Sequence, residues 1–179
     1  TGSTTTTTDY CGNVVYENGV QKLLLTDEGY VTLSDNKYHY YLKDHQGNNR
    51  VVINQSGTVE ETNHYYPFGG VFASAGNVQP YKYNGKEYDG KKGLNWYDYG
   101  ARMYDAALGR FMTVDPLAEK YYPMSPYGYC LNNPIKFIDA DGRLPRIYIE
   151  RKGFGHAFVT VGNGDNTIVY TYGRYGELG

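Results

Sequence analysis

From residue 9 the chain alternates short β-prone runs with polar turns built on glycine and asparagine. The runs at 13–17 and 20–26 are separated by Asn18-Gly19, a pair that tolerates the positive φ of a tight antiparallel turn. Asp27-Glu28-Gly29 leads to 30–34. Further runs at 38–43, 50–54 and 58–66 are divided by Asp44-His45-Gln46-Gly47-Asn48-Asn49 and by Gln55-Ser56-Gly57. Strand, turn and strand recurring in this way predict a sheet that grows by adding hairpins. Residues 71–79 read as a loop, 80–88 as a hairpin about Asn84-Gly85, and 94–105 with 110–114 as two strands joined by the turn 106–109. Helical composition is confined to two short turns. One spans 116–120, with Asp115 as N-cap and Pro116 in the first helical position. The other opens at Ser125-Pro126-Tyr127 and stops at Asn132-Asn133-Pro134. The expected fold is all-β.

Composition sharpens this picture. Tyrosine (22 residues) outnumbers leucine, so the core is expected to pack with rings whose hydroxyls stay wet or bonded. A net charge of −2 gives no electrostatic reason to propose nucleic acid as a partner. No apolar run approaches the ~20 residues that span a bilayer, and no basic-plus-apolar leader opens the sequence. Membrane insertion is therefore not expected, and any export instruction is expected elsewhere in a longer polypeptide. The Thr-rich stretch 1–8 reads as a flexible lead-in or as a strand end lacking its partner. Cys11 and Cys130 lack zinc-ligand spacing; they could form one bridge, and read better as two isolated thiols. No pattern calls for a metal or cofactor.

The segment 97–143 carries the informative motifs. The run Trp96-Tyr97-Asp98-Tyr99-Gly100-Ala101-Arg102-Met103-Tyr104-Asp105 is followed by Arg110-Phe111, Asp115-Pro116-Leu117, Ser125-Pro126-Tyr127, Asn132-Asn133-Pro134 and Asp141-Gly142-Arg143. Upstream stand Tyr40-Tyr41-Leu42-Lys43-Asp44-His45-Gln46-Gly47-Asn48-Asn49-Arg50 and His64-Tyr65-Tyr66-Pro67-Phe68-Gly69. This ordered set, covering roughly 9–143, closely resembles the Rhs repeat-associated core domain. That domain closes the tyrosine/aspartate (YD) repeat shell of Rhs polymorphic toxins and of the C components of insecticidal toxin complexes.

The resemblance implies a spiral sheet fragment of antiparallel hairpins at 9–96, a core or plug at 97–143, and the opening of a variable C-terminal payload at 144–179. It also implies a chemistry. Asp115 and Asp139 would form an aspartic-type pair that cuts the chain between Arg143 and Leu144, with Arg110 adjusting their ionisation or orienting the scissile carbonyl. Two close carboxylates share a proton, so one can act as acid while the other activates water. Catalyst and substrate in one chain gain from high effective molarity. Two departures from the usual pattern bear on this. Ala118-Glu119 stands where many members carry glycine, and Ala140 replaces a proline that would fix the backbone after the second aspartate.

The implied partners are the rest of the shell, the payload, an immunity protein and a secretion-system component. The implied location is secreted or cell-surface, after synthesis in the bacterial cytoplasm. The competing reading is a non-catalytic YD-repeat module: Asp-Pro and Asp-Ala-Asp-Gly are ordinary turn sequences, so the aspartates can cap turns in a structural plug, and tyrosine faces on an exposed sheet could serve cell-surface or carbohydrate binding. His156, at the head of a strand, could serve as a hydrolytic base only if a nucleophile lay within reach, and no cysteine follows residue 130. His39, His45 and His64 read as packing and turn residues, and Lys91-Lys92 as a solvated turn.

Overall fold

The computed structural model describes residues 5–120, 123–143, 145–147, 157–162 and 167–172. Eight strands follow one another in a single antiparallel meander: β1 (Thr8–Cys11), β2 (Val14–Glu17), β3 (Val20–Thr26), β4 (Gly29–Thr32), β5 (Lys37–Lys43), β6 (Asn49–Asn54), β7 (Val59–Tyr65) and β8 (Val71–Ala75). Each pairs only with its chain neighbours, which is the outcome of hairpins added in sequence. Asn18 and Gly19 both take positive φ at the β2–β3 turn, as their residue types predict.

The expected loop at 71–79 is corrected over its first half. Tyr66 N–H donates to Gly70 O (2.7 Å) and Gly69 N–H to Tyr66 O (2.8 Å), and that turn sends β8 back along β7. All five residues of β8 are exposed. With neither face buried, no alternation marked it as a strand.

A second sheet, in the order β12-β11-β10-β9, comprises β9 (Glu87–Asp89), β10 (Trp96–Asp98), β11 (Met103–Asp105) and β12 (Arg110–Phe111). The single strand expected over 94–105 is therefore two. Asp98 Oδ1 accepts the Gly100 N–H at 2.7 Å, and Gly100 adopts φ +88°, so Asp98-Tyr99-Gly100 turns the chain. Asn84-Gly85 forms the expected reversal as a 3-10 turn (Tyr83–Gly85). A pair is formed by β13 (Phe137–Asp139) and β14 (Pro145–Ile147), and another by β15 (Ala157–Gly162) and β16 (Thr167–Tyr172).

Among the described residues the only helical elements are 3-10 turns. The turn Ala118–Lys120 follows the predicted N-cap, with Leu117 N–H donating to Asp115 Oδ1 at 2.7 Å. No helix forms at Ser125. The 3-10 turn there lies later, at Cys130–Asn132, and all three of its residues take positive φ. Left-handed backbone at non-glycine residues costs roughly 1 kcal/mol or more each. It is offset by burial of Tyr129 and Cys130, both almost fully excluded from solvent.

The core is aromatic. Tyr65, Tyr83, Tyr97, Tyr99, Tyr104, Phe111 and Tyr129 enclose Cys130, meeting edge-on or tilted with ring centroids 4.2–6.4 Å apart. Each tyrosine hydroxyl has a partner: Tyr65 donates to Asn49 O, Tyr83 to Pro67 O, Tyr97 to Gly69 O and Tyr104 to Phe68 O. Tyr99 and Tyr129 both donate to Asn84 Oδ1, at 2.8 and 2.7 Å. These bonds tie the second sheet to the turns that end the meander. Burying a ring contributes roughly 2 kcal/mol, and each satisfied hydroxyl about 1 kcal/mol. The thiol of Cys130 is pushed up to about 12 by burial, which disfavours the reactive thiolate. Cys11 is exposed and free, in keeping with two isolated thiols.

The turn at Gly69 gives a direct test of this packing. Gly69 has φ +88°, and a Cβ there would lie 2.6 Å from the Tyr83 ring. Gly69→Ala therefore meets both backbone strain and overpacking and should cost about 3 kcal/mol, read as a lowered urea midpoint with an unchanged slope.

On β7 the inward positions alternate with period two, yet they are Glu61, Asn63 and Tyr65. Glu61 accepts hydrogen bonds from Asn63 Nδ2 (2.6 Å), Gln79 Nε2 (3.1 Å) and Val78 N–H (2.8 Å), and pairs with the buried Lys82 ammonium. This polar knot fastens the segment after β8 onto the sheet. His39 behaves as a packing residue: it stacks on Tyr30 with centroids 4.4 Å apart and bonds Glu60 at 2.6 Å.

Candidate functional site

Asp115 and Asp139 reach the same place from different elements. Asp115 follows β12 and opens the 3-10 turn, with its N–H held by Pro126 O at 2.9 Å. Asp139 ends β13. Between them lies Arg102, the residue just before β11. Its Nη2 donates to Asp115 Oδ2 at 2.8 Å and stands 3.5 Å from Asp139 Oδ2. Two carboxylates 24 positions apart in the chain thus converge on one nitrogen.

Arg102 uses its remaining donors on backbone. Nη1 donates to Pro126 O (3.0 Å) and Nε to Gly142 O (2.5 Å), and the guanidinium carbon lies 3.7 Å from the centre of the Phe111 ring. A planar fork with five donors suits this task, as a point-charge ammonium would not. Arg102 is buried, and burial lowers its affinity for the proton while Asp115 and Asp139 oppose that.

The second aspartate grips the junction. Asp139 Oδ1 accepts N–H bonds from Asp141 (3.3 Å), Gly142 (2.8 Å) and Arg143 (3.1 Å). Gly142 takes φ +74°, and a Cβ there would come within 3.1 Å of Arg102 N and Tyr99 Cβ. Only glycine brings the backbone this close. Asp139 is 1% exposed, and burial raises its carboxyl above the usual range, against the opposing pull of those backbone N–H groups and of Arg102. A carboxyl of this kind holds its proton more readily than an exposed one.

Of the residues singled out from the sequence, the structure joins Asp115 and Asp139 and sets the Arg143 N–H on Asp139. It does not bring Arg110 to them. Arg110 is exposed on β12, opposite Asp105 and bridged to Gly128, and the cation between the aspartates is Arg102. Strand phase carried the signal: Arg102 and the buried Tyr104 are two apart and share a face, whereas Arg110 precedes the buried Phe111 and points away. Leu144 and His156 lie outside the described residues.

Architecture and site together define a hairpin-built β-meander closed by a tyrosine core that carries an Asp-Arg-Asp cluster at its C-terminal exit. The same fold occurs in the crystal structure of TcdB2-TccC3 without its hypervariable C-terminal region, with a TM-score of 0.62 at 22% identity over 76% of this chain and 8% of that one. By sequence, the chain is 35% identical over 104 residues to toxin subunit YenC2 of Yersinia entomophaga, and 40% identical over 114 residues to salivary gland surface protein 1 of Aedes aegypti. These matches cover 55% and 62% of this chain but only 10% and 3% of the relatives. The stretch is homologous to part of a toxin subunit and spans a small fraction of its length. No protein-family model matches the chain. Among the described residues no helix is long and apolar enough to cross a membrane.

Proposed function

We propose that this chain is the closing segment of an Rhs-type toxin shell that cuts itself after Arg143 and so releases a C-terminal payload. The observation that carries the reading is the convergence of Asp115 and Asp139 on Arg102, beside a backbone clamped at Gly142 and Arg143. In the proposed step Asp115, paired with Arg102, takes a proton from a water that attacks the Arg143 carbonyl carbon. Asp139, whose burial favours the protonated carboxyl, protonates the carbonyl oxygen. Collapse then breaks the bond from Arg143 C to the next nitrogen: the proton gained by Asp115 passes to the leaving amine, and one hydroxyl of the intermediate returns its proton to Asp139 as the new carboxyl forms.

The shell reading is supported by the shared fold and by β1 and β8, each of which pairs on one side only among the described residues. Further strands of a longer shell would cover such edges. The rest of that shell, the payload, an immunity protein and a secretion-system component are its partners, and the assembled toxin acts secreted or at a cell surface.

One observation favours a second reading, a plug without catalysis. Asp115 Oδ1 and Asp139 Oδ1 each accept backbone N–H groups as ordinary turn caps do. Timed cleavage of freshly purified chain separates the two. Asp115→Asn and Asp139→Asn keep the capping oxygen, so the fold should persist while cleavage falls by at least 100-fold. The wild-type rate should decline as pH rises through the raised Asp139 value, because the acid is then lost. Equal cleavage in wild type and both variants, or none in any, leaves the plug.

A further inference from the structure

Lys86 follows the Asn84-Gly85 turn, which the sequence marks only as a reversal. Its ammonium donates to the carbonyl of Ala140 at 2.6 Å and lies 5.2 Å from the centre of the Tyr99 ring. The main chain of Lys86 is fixed, since Lys82 N–H donates to Lys86 O (2.9 Å) and Lys86 N–H to Tyr83 O (2.9 Å).

At the junction three consecutive carbonyls are held by three different donors. Ala140 O takes Lys86 Nζ, Asp141 O takes the Ala101 N–H (3.1 Å), and Gly142 O takes Arg102 Nε. The three following N–H groups all point to Asp139 Oδ1. Arg102 belongs to the site already described, and Ala101 is its chain neighbour. Lys86 is the contact that arrives from outside it, reaching the loop from 54 positions away in the chain.

We propose that Lys86 is a positioning residue, whose ammonium on the Ala140 carbonyl holds the loop bearing Asp139 and the Gly142–Arg143 backbone in cutting geometry. The catalytic part of this rests on the self-cleavage reading above, while the clamp itself does not. A small displacement of a reacting backbone can cost 100-fold in rate. Lys86 also acts through charge. Burial lowers its proton affinity, while Asp139, Asp141 and Asp98 raise it. By reciprocity its ammonium favours the ionised form of Asp139. The other groups around Asp139 are Arg102, whose Nη2 also holds Asp115, and the Cys130 thiol.

The test uses the full chain with Lys86→Met, Lys86→Gln and Lys86→Arg, each in wild-type and Asp115→Asn backgrounds. Amide hydrogen exchange at Asp141, Gly142 and Arg143 in the uncut Asp115→Asn background reads the clamp. Lys86→Met should speed exchange at least tenfold, and Lys86→Arg should restore protection. In the cleaving background Lys86→Met should slow cutting 10- to 100-fold and move the alkaline loss of rate to higher pH. Lys86→Gln, a donor without charge, should keep protection and still show the pH shift. Exchange at 141–143 unchanged in Lys86→Met overturns the proposal. Altered exchange in a chain that never cuts keeps the clamp and removes the self-cleavage reading instead. If Lys86→Met does not fold, Lys86→Gln and Lys86→Arg carry the comparison through charge: protection kept in both with the alkaline loss of rate moved to higher pH in Lys86→Gln alone supports the proposal, and loss of protection in both, or the same pH profile in both, overturns it.

Discussion

Replacing Arg102 with methionine should abolish self-cleavage and lower stability by about 3–5 kcal/mol, the usual cost of removing one partner from a buried charge cluster. Asp139 then keeps a buried carboxyl without its cation, and the Gly142 and Pro126 carbonyls lose their donors. The loss should depend on pH, with a definite sign. Folded Asp139 already binds its proton more tightly than an unfolded aspartate does. It therefore makes the fold less stable as pH rises from the ordinary carboxylate range through its raised value. Without Arg102 that fall becomes steeper and extends to higher pH. Urea unfolding of Arg102→Met and wild type at several pH values measures it. Arg110→Met is the matched control: the side chain is exposed and opposite Asp105, so its effect should stay within about 0.5 kcal/mol.

The second large effect belongs to the polar knot inside β7. Lys82→Met leaves the Glu61 carboxylate, whose side chain is wholly buried, with neutral donors only, and should cost about 3–5 kcal/mol. Adding Glu61→Gln removes the stranded charge and should recover part of the loss, a coupling of about 1–3 kcal/mol in the double-mutant cycle. Strict additivity would show that the pair does not couple. Because Glu61 also holds Val78 and Gln79, amide exchange at 77–82 should rise in Lys82→Met before global unfolding.

Both effects concern residues that the sequence did not single out, and the reasons are physical. Turn chemistry is local, so Asn18-Gly19, Asn84-Gly85 and the Asp115-Pro116 cap could be read directly, and with them the all-β meander. The pairing of Asp115 with Asp139 came through the resemblance and not through spacing, since nothing local joins positions 115 and 139. Arg102 and Arg110 both stand near a strand in a Tyr/Asp-rich run, and only the phase relative to buried Tyr104 and Phe111 distinguishes them. Glu61 and Asn63 occupy inward positions that hydrophobic patterning assigns to apolar residues, so a strand with a polar inner face hides its own core side. β8 gave the opposite failure, because Val71 and Phe72 are apolar but exposed. The left-handed turn at Cys130–Asn132 depends on tertiary burial, which no local preference for helix or turn encodes.

The most direct measurement of the central claim is the mass of the two pieces of the freshly purified 179-residue chain. Self-cleavage by the aspartate pair should give one fragment ending at Arg143 and a complement starting at Leu144, both absent from Asp139→Asn. A wild-type chain that stays whole under conditions where it is folded, or a cut at another bond that survives loss of both aspartates, would contradict it.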